Sequence, residues 1–370
     1  MPEAIPLLSL EGRPGNMGFE YGRRMSTPIH DNVVSYMRRF REVAGLDRDG
    51  VFRWGAHYHR AIAGYDPSIA AFLEGIASGA GLRDEHIFAL NARTEILYGQ
   101  AASAEEGCTS LAVLPSHTED GHVLLGQNWD WHPDQGPMTF LLATRDEDGF
   151  EVLTLTEAGM IAKTGLNSAG IGVCANLLVS DRDRGGDGVP YHALLRGVLQ
   201  SRTMADALRA ATMPARISSG NLLIADAGGE AIDLEVVPGD FGWVLPDGGM
   251  IAHSNHFVSG VPVGDLKKAS SALTLLRPSR ARHLLEPRLE KRAVTVDDLI
   301  GVFRDHYSFP NAICRHVDER DAMRERACSV WSIAMDLTER RFGIAAHPPC
   351  EHEYEWLSLP VAAGAAAPVA

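Results

Sequence analysis

The chain has 370 residues, 45% hydrophobic and 22% charged, with a formal net charge of −14. That size buries a large core in one or two domains, and the acidic balance argues against nucleic acid and anionic membranes as partners. The five cysteines (Cys108, Cys174, Cys314, Cys328, Cys350) are dispersed, never closer than 14 apart, which fits neither a disulfide framework nor a zinc ribbon and predicts a reduced, cytoplasmic setting.

The first residues, MPEAIPLLSLEGRPGN, lack a basic start and a long apolar run, so no signal peptide is expected. After a short strand near Ile5 to Leu10, residues up to 100 read mostly as helix. Gly15 to Phe40 has helical spacing interrupted at Pro28. Asp66 to Ser78 has an N-cap at Asp66, Pro67 in the first turn, and Gly79 and Gly81 as stops. Arg83 to Tyr98 continues as an amphipathic helix. This region is expected to be a helical layer without chemistry.

From Cys108 the apolar period shifts toward 2. Strands are predicted at 109–114, 122–128, 138–145, 150–156, 160–165 and 170–176, with turn signals between them that suit antiparallel pairing. Helices are expected at 190–199 and 203–211, and strands at 221–226, 230–237, 241–245 and 249–254. Helices at 269–286 and 295–304 precede two last strands, 329–337 and 340–345. Strands in blocks, with helices segregated between them, predict an α+β fold. The tail LPVAAGAAAPVA is expected to be disordered.

The stretch AASAEEGCTSLAVLPSHTEDGHVLLGQNWDW, residues 101–131, concentrates the chemistry. A small, acidic run delivers Cys108 to the first residue of a hairpin strand, and the partner strand ends in Asp130. A free cysteine, with a pKa of about 8.5, needs activation at neutral pH. No papain-like or caspase-like signature surrounds Cys108. If the Gly107–Cys108 bond is cut, the new α-amine, with a pKa of about 7.7 to 8.0, is a base within reach of the sulfur. The same thiol can make that cut by attacking the Gly107 carbonyl, where glycine offers no Cβ to crowd it. Asp130 is placed to orient the amine and hold its charged form.

Several further segments stand in a recognisable order. They include Gly12-Arg13-Pro14 with Glu20-Tyr21-Gly22, Glu74 to Gly81 (EGIASGAG), Asn91-Ala92-Arg93-Thr94-Glu95 and Gly107-Cys108-Thr109. Then come Gly126 to Asp130 (GQNWD), Thr156 to Gly159 (TEAG), Gly165 to Gly170 (GLNSAG), Ser254-Asn255-His256, Ile313-Cys314-Arg315 and Ile333 to Leu337 (IAMDL). With them the chain resembles, from about residue 11 to 358, the acyl-coenzyme A:6-aminopenicillanic acid acyltransferase (isopenicillin N acyltransferase) family of self-cleaving N-terminal-nucleophile cysteine hydrolases. The resemblance implies an αββα four-layer sandwich in one structural domain. It implies cleavage into a helical 1–107 segment and a nucleophile-bearing 108–358 portion, ahead of a 359–370 tail, and no metal or cofactor. Cys108 is then the nucleophile, Asp130 the acid that positions the amine, and Asn255 the donor to the tetrahedral oxyanion. Asn176 matches an active-site asparagine of related choloylglycine hydrolases more loosely, and Arg277 falls at the family's arginine. The family's Asp-Ser pair before that arginine is replaced here by Leu273-Thr274, which removes support for a transfer step that relies on the serine. His253 and His256 are expected on opposite strand faces, against a metal site, and the other four cysteines are expected to be structural. Trp129, Trp131, His132 and the loop Asp181 to Gly188 are candidate pocket walls.

These readings converge on a self-cleaving amidohydrolase or acyltransferase that works through a Cys108 thioester on a small acylated amine or linear amide. Its two fragments would remain together as a heterodimer. Alternatives are an acyl-coenzyme A-dependent N-acyltransferase of the penicillin type, an unprocessed ligand-binding member without catalysis, and a papain-like thiol peptidase.

Overall fold

The computed structural model describes residues 5–98, 107–270 and 272–360. Strand β1 (Leu7–Glu11) leads into six helices: α1 (Pro14–Arg24), α2 (Ser26–Ala44), α3 (Arg48–Tyr65), α4 (Pro67–Ala80), α5 (Asp84–Asn91) and α6 (Arg93–Tyr98). Asp66 caps α4 as expected, its carboxylate accepting from Ser68 N at 2.8 Å, and Gly81 stops it at a φ of 68°. The break between α1 and α2 falls at Met25, because Pro28 sits within the first turn of α2, where its missing N–H costs nothing. The 83–98 helix divides at Ala92 into α5 and α6. Helices α1 and α4 cross through glycines, and a Cβ on Gly18 would meet Phe72 O at 2.0 Å.

The chain then builds β2 (Gly107–Val113), β3 (Leu124–Trp131), β4 (Thr139–Arg145), β5 (Glu151–Glu157), β6 (Gly165–Asn167) and β7 (Ile171–Asn176). Residues 160–164, expected as strand, run irregularly, and only the three residues of β6 pair there. Helices α7 (Tyr191–Leu199) and α8 (Met204–Thr212) precede β8 (Gly220–Asp226), β9 (Ala231–Val237), β10 (Asp240–Val244) and β11 (Met250–His253). The helix expected at 269–286 is replaced by a short α9 (Lys267–Ser270), a 3-10 turn and α10 (Arg277–Leu289). Helix α11 (Val296–Phe303), β12 (Cys328–Asp336), β13 (Arg341–Ala346) and an edge strand β14 (Glu355–Ser358) follow.

These strands form an eight-stranded sheet, ordered β1-β4-β5-β6-β7-β8-β9-β10, and a six-stranded sheet, ordered β11-β2-β3-β12-β13-β14. All pairings are antiparallel except β1 with β4. Strand β7 packs against β2 and β3, so the sheets lie face to face. Helices α1, α7 and α8 cover the larger sheet, while α10 and α11 cover the smaller one. Alternation along β2 divides the core accordingly. Cys108 and Ala112 join the apolar cluster between the sheets, whereas Leu111 and Val113 join the cluster under α10 and α11. Among the described residues no helix is long and apolar enough to cross a membrane.

Candidate active site

Strand register brings the predicted residues together. Gly107 lies opposite Asp130 and Cys108 opposite Trp129 in the β2–β3 pair. His253 lies opposite Ser110 in the β2–β11 pair, so two residues further along Asn255 comes beside Cys108. The contact is direct: Cys108 N donates to Asn255 Oδ1 at 2.7 Å. Cys108 itself is 1% exposed.

Arg277, the first residue of α10, ties the group together. Its Nη1 donates to Cys108 O at 3.0 Å, to Thr109 Oγ1 at 3.2 Å and to Asp130 Oδ2 at 3.4 Å, while Nη2 donates to Asn255 Oδ1 at 2.8 Å. Burial lowers the Arg277 pKa, opposed in part by the Asp130 charge. Asp130 is 1% exposed, and its other oxygen accepts from Ser329 Oγ at 2.6 Å. A Cβ on Gly107 would fall 2.8 Å from Asp130 Oδ2. The peptide bond before Cys108 therefore lies against a carboxylate, a guanidinium and a carboxamide.

Two N–H donors meet at one atom of Asn255, which fixes that atom as the oxygen. The amide thus turns its acceptor to Cys108 N, whereas the resemblance implied a donor role. Asn255 Nδ2 gives one hydrogen to Leu177 O at 2.9 Å and keeps a second. Asn176 stands one step further from the nucleophile. It donates to Ser110 Oγ at 2.8 Å and accepts from Gln127 Nε2 at 3.0 Å. Cys174, on the same face of β7, has its pKa pushed well up by burial, with the nearby Cys108 thiol adding to the effect.

The Leu273-Thr274 pair needs a correction, because the hydroxyl at the second position is kept. Leu273 is exposed, but Thr274 is fully buried. Its Oγ1 accepts from Asn255 N at 2.7 Å and lies 2.8 Å from Ser254 Oγ. Thr274→Val is expected to leave the buried Asn255 N–H unsatisfied and to cost about 1–3 kcal/mol of stability by urea denaturation, with Thr274→Ser close to wild type. Equal stability of the valine and serine variants would refute this. His253 and His256 are also not opposed: β11 ends at His253, and the two rings stack at 6.2 Å and 14°.

Beside Trp129, the strand partner of Cys108, lies a small cavity walled by Trp129, Gln127, Leu177 and Leu195, with Cys108 itself outside its lining. Trp131, His132 and the 181–188 loop are not among its walls. Its titratable lining includes Arg93, Lys163 and His192. Lys163 Nζ is 2.9 Å from the buried Glu157 carboxylate and 3.7 Å above the Trp129 ring. Arg93 Nε is 3.3 Å from the same Glu157 oxygen. His192 is held neutral by burial and by the Arg93 and Lys163 charges. The helical layer thus supplies part of this cavity's wall through Arg93 and Thr94.

Sequence reasoning did not single out Ser329 or Lys163, and it quoted Thr109 only as part of the Gly107-Cys108-Thr109 segment. Ser329 pairs directly with Asp130 in the β3–β12 register, so the pattern was readable only once those strands were paired.

The two face-to-face sheets lie between helical layers as an αββα sandwich. A profile of the family described as acyl-coenzyme A:6-aminopenicillanic acid acyl-transferase matches residues 116–349, and the chain belongs to that family. It is an enzyme of the acyl-transfer class. It is 30% identical over 271 residues to the 40 kDa form of acyl-coenzyme A:6-aminopenicillanic-acid-acyltransferase of Emericella nidulans, covering 72% of this chain and 71% of the relative. Among solved structures, a mutant of conjugated bile acid hydrolase from Clostridium perfringens aligns with a TM-score of 0.48 at 14% identity, covering 68% of this chain and 92% of that one. A Caenorhabditis elegans N-acylethanolamine-hydrolyzing acid amidase ortholog aligns with a TM-score of 0.46 at 15% identity, covering 62% and 93%.

Proposed function

We propose that the protein cuts itself between Gly107 and Cys108 and then acts as an N-terminal-cysteine amidohydrolase on a small acylated amine or linear amide. The observation that carries this reading is the environment of one atom. Cys108 N, the leaving nitrogen of the cut and the base afterwards, is held at 2.7 Å by Asn255 Oδ1, beside Asp130 and Arg277.

In the cut, Cys108 Sγ attacks the Gly107 carbonyl carbon and the C–N bond breaks. The thiol proton goes to the departing nitrogen, and water hydrolyses the resulting thioester. In turnover the α-amine takes the thiol proton as sulfur attacks the substrate carbonyl. The second hydrogen of Asn255 Nδ2, with a backbone N–H, stabilises the oxyanion, each such donor contributing roughly 3–4 kcal/mol in the transition state. The ammonium then protonates the leaving amine, and water attacks the acyl-enzyme with the amine as base. Cys108 and Trp129 share one sheet face, and Trp129 also lines the neighbouring cavity, so the acyl group would approach from that side once the small cavity opens.

Transfer to an amine or thiol in place of water is the second reading, favoured by the relative's name. Coenzyme A then enters only as part of a substrate.

Intact mass spectrometry of the wild-type chain tests the proposal. Two fragments, 1–107 and 108–370, are expected, with an acyl-sized gain on the second during incubation with a panel of acyl amines. A full-length chain that turns over amides would refute the N-terminal-nucleophile mechanism. Loss of that activity on removing one particular histidine would then favour a papain-like peptidase.

A further inference from the structure

Beyond the nucleophile's immediate partners, four side chains from two distant segments converge. His306 follows α11, Cys314 and His316 lie in the next loop, and Cys350 follows β13. One ligand atom from each lies within 4.8 Å of every other. His316 Nε2 is 3.2 Å from His306 Nε2, 3.6 Å from Cys314 Sγ and 3.5 Å from Cys350 Sγ. An imidazole nitrogen carries one hydrogen or one lone pair, so it cannot satisfy three neighbours by hydrogen bonding. A central ion can. Tetrahedral zinc, with Zn–S near 2.3 Å and Zn–N near 2.0–2.1 Å, sets N···N edges of about 3.4 Å and S···N edges of about 3.6 Å. The observed spacings match those edges.

We propose that His306, Cys314, His316 and Cys350 bind one Zn²⁺ as a closed, four-coordinate structural site. Two thiolates balance the ion's charge, and their two protons leave to solvent on binding. All four ligand positions are filled by protein, so the ion has no open position for substrate and takes no part in the acyl chemistry. The site departs from the metal-free expectation and from the reading of Cys314 and Cys350 as merely structural thiols. Its sequence pattern, H-x7-C-x-H with a distant cysteine, has no paired C-x-x-C to betray it.

The ion also has a positioning role. Cys314 and His316 flank Arg315 where the loop turns back on itself across the Asn311–Arg315 bridge. Arg315 N donates to Ser329 Oγ at 2.9 Å, and that hydroxyl donates to Asp130. Zinc would therefore pin the loop that holds Asp130 against Gly107.

The test uses the full chain, purified without a polyhistidine tag and without chelator. Elemental analysis is expected to give one zinc per chain. Cobalt exchange should give the visible bands of tetrahedral Co²⁺ with a thiolate-to-cobalt charge-transfer band. Cys350→Ala is expected to weaken zinc binding more than about 100-fold, beyond the loss of an outer-shell partner, while the exposed His283→Ala binds as wild type. If Cys350→Ala does not fold, the wild-type cobalt spectrum decides. A wild-type chain that takes up neither metal, a Cys314–Cys350 disulfide in the isolated protein, or a Cys350→Ala chain that binds undiminished would overturn the site. None of these readouts depends on Cys108 or on self-cleavage.

Discussion

Cys108→Ala is expected to give a single uncut chain of 370 residues and to lower acyl transfer by at least about 10⁴-fold, the scale of losing a covalent nucleophile. The substitution removes one sulfur from a buried strand position and leaves untouched the hydrogen bonds of Cys108 N and O, which are main-chain atoms. Its thermal midpoint should therefore stay near that of the wild type, which separates lost chemistry from lost fold. Cys108→Ser is the sharper variant. A hydroxyl is a far weaker nucleophile than a thiolate, yet the Cys108 nitrogen, Asn255, Asp130 and Arg277 would still surround it. Slow, partial cutting over hours with little turnover is expected, seen as a growing 108–370 fragment by mass. Turnover that survives in the alanine variant would remove Cys108 from the mechanism.

Much of this site was legible in the sequence because it is built on short-range order. Cys108 and Asp130 belong to one hairpin, and a turn between two alternating segments places them on facing strands. Asn255 needs one more strand pairing, and Arg277 was found only through the family resemblance. Ser329 and Thr274 were out of reach for a physical reason. Each is a small hydroxyl whose role comes from a partner 199 or 19 residues away, and neither alters the local apolar period. The histidine–cysteine cluster was hidden in the same way, since Cys350 joins His316 from 34 residues away.

The fold shows a similar division. Alternation located most strands of both sheets within about two residues, because one face of each is buried. It failed where the side-chain pattern does not decide the backbone. Residues 160–164 are mostly apolar but include Lys163 and lie buried outside any strand, and β14 is a four-residue edge of mixed exposure. The helical break at Ala92 turns Arg93 inward, a placement no helical wheel anticipates because arginine is seldom fully buried.

That inward arginine leads to the second large effect, at Glu157. The carboxylate is fully buried, with Lys163 at 2.9 Å, Arg93 at 3.3 Å and the Tyr36 hydroxyl donating at 2.6 Å. Burial alone would raise its pKa, but the Lys163 and Arg93 charges prevail and lower it from 4.5 to about 2. A depressed acid contributes stability that is present above the unfolded pKa and lost as pH falls through the folded one. Here that displacement is worth about 3 kcal/mol, withdrawn between about pH 4.5 and pH 2. Glu157→Gln leaves two cations buried without their counter-charge, so a loss of about 3–5 kcal/mol in unfolding free energy is expected near neutral pH. Adding Lys163→Met should restore part of that loss, because one uncompensated charge goes with it. In urea titrations from pH 6 to pH 3, the acid limb of the wild type should flatten in Glu157→Gln. Asp233, raised by burial to about 6, acts with the opposite sign: its stabilisation is held at low pH and lost between about pH 4 and 6. Asp233→Asn removes that limb and separates the two windows. If Glu157→Gln proved as stable as wild type at pH 7 and kept the same acid limb, the carboxylate would not be the counter-ion of the cavity's cations, and the cluster would have to be neutralised elsewhere.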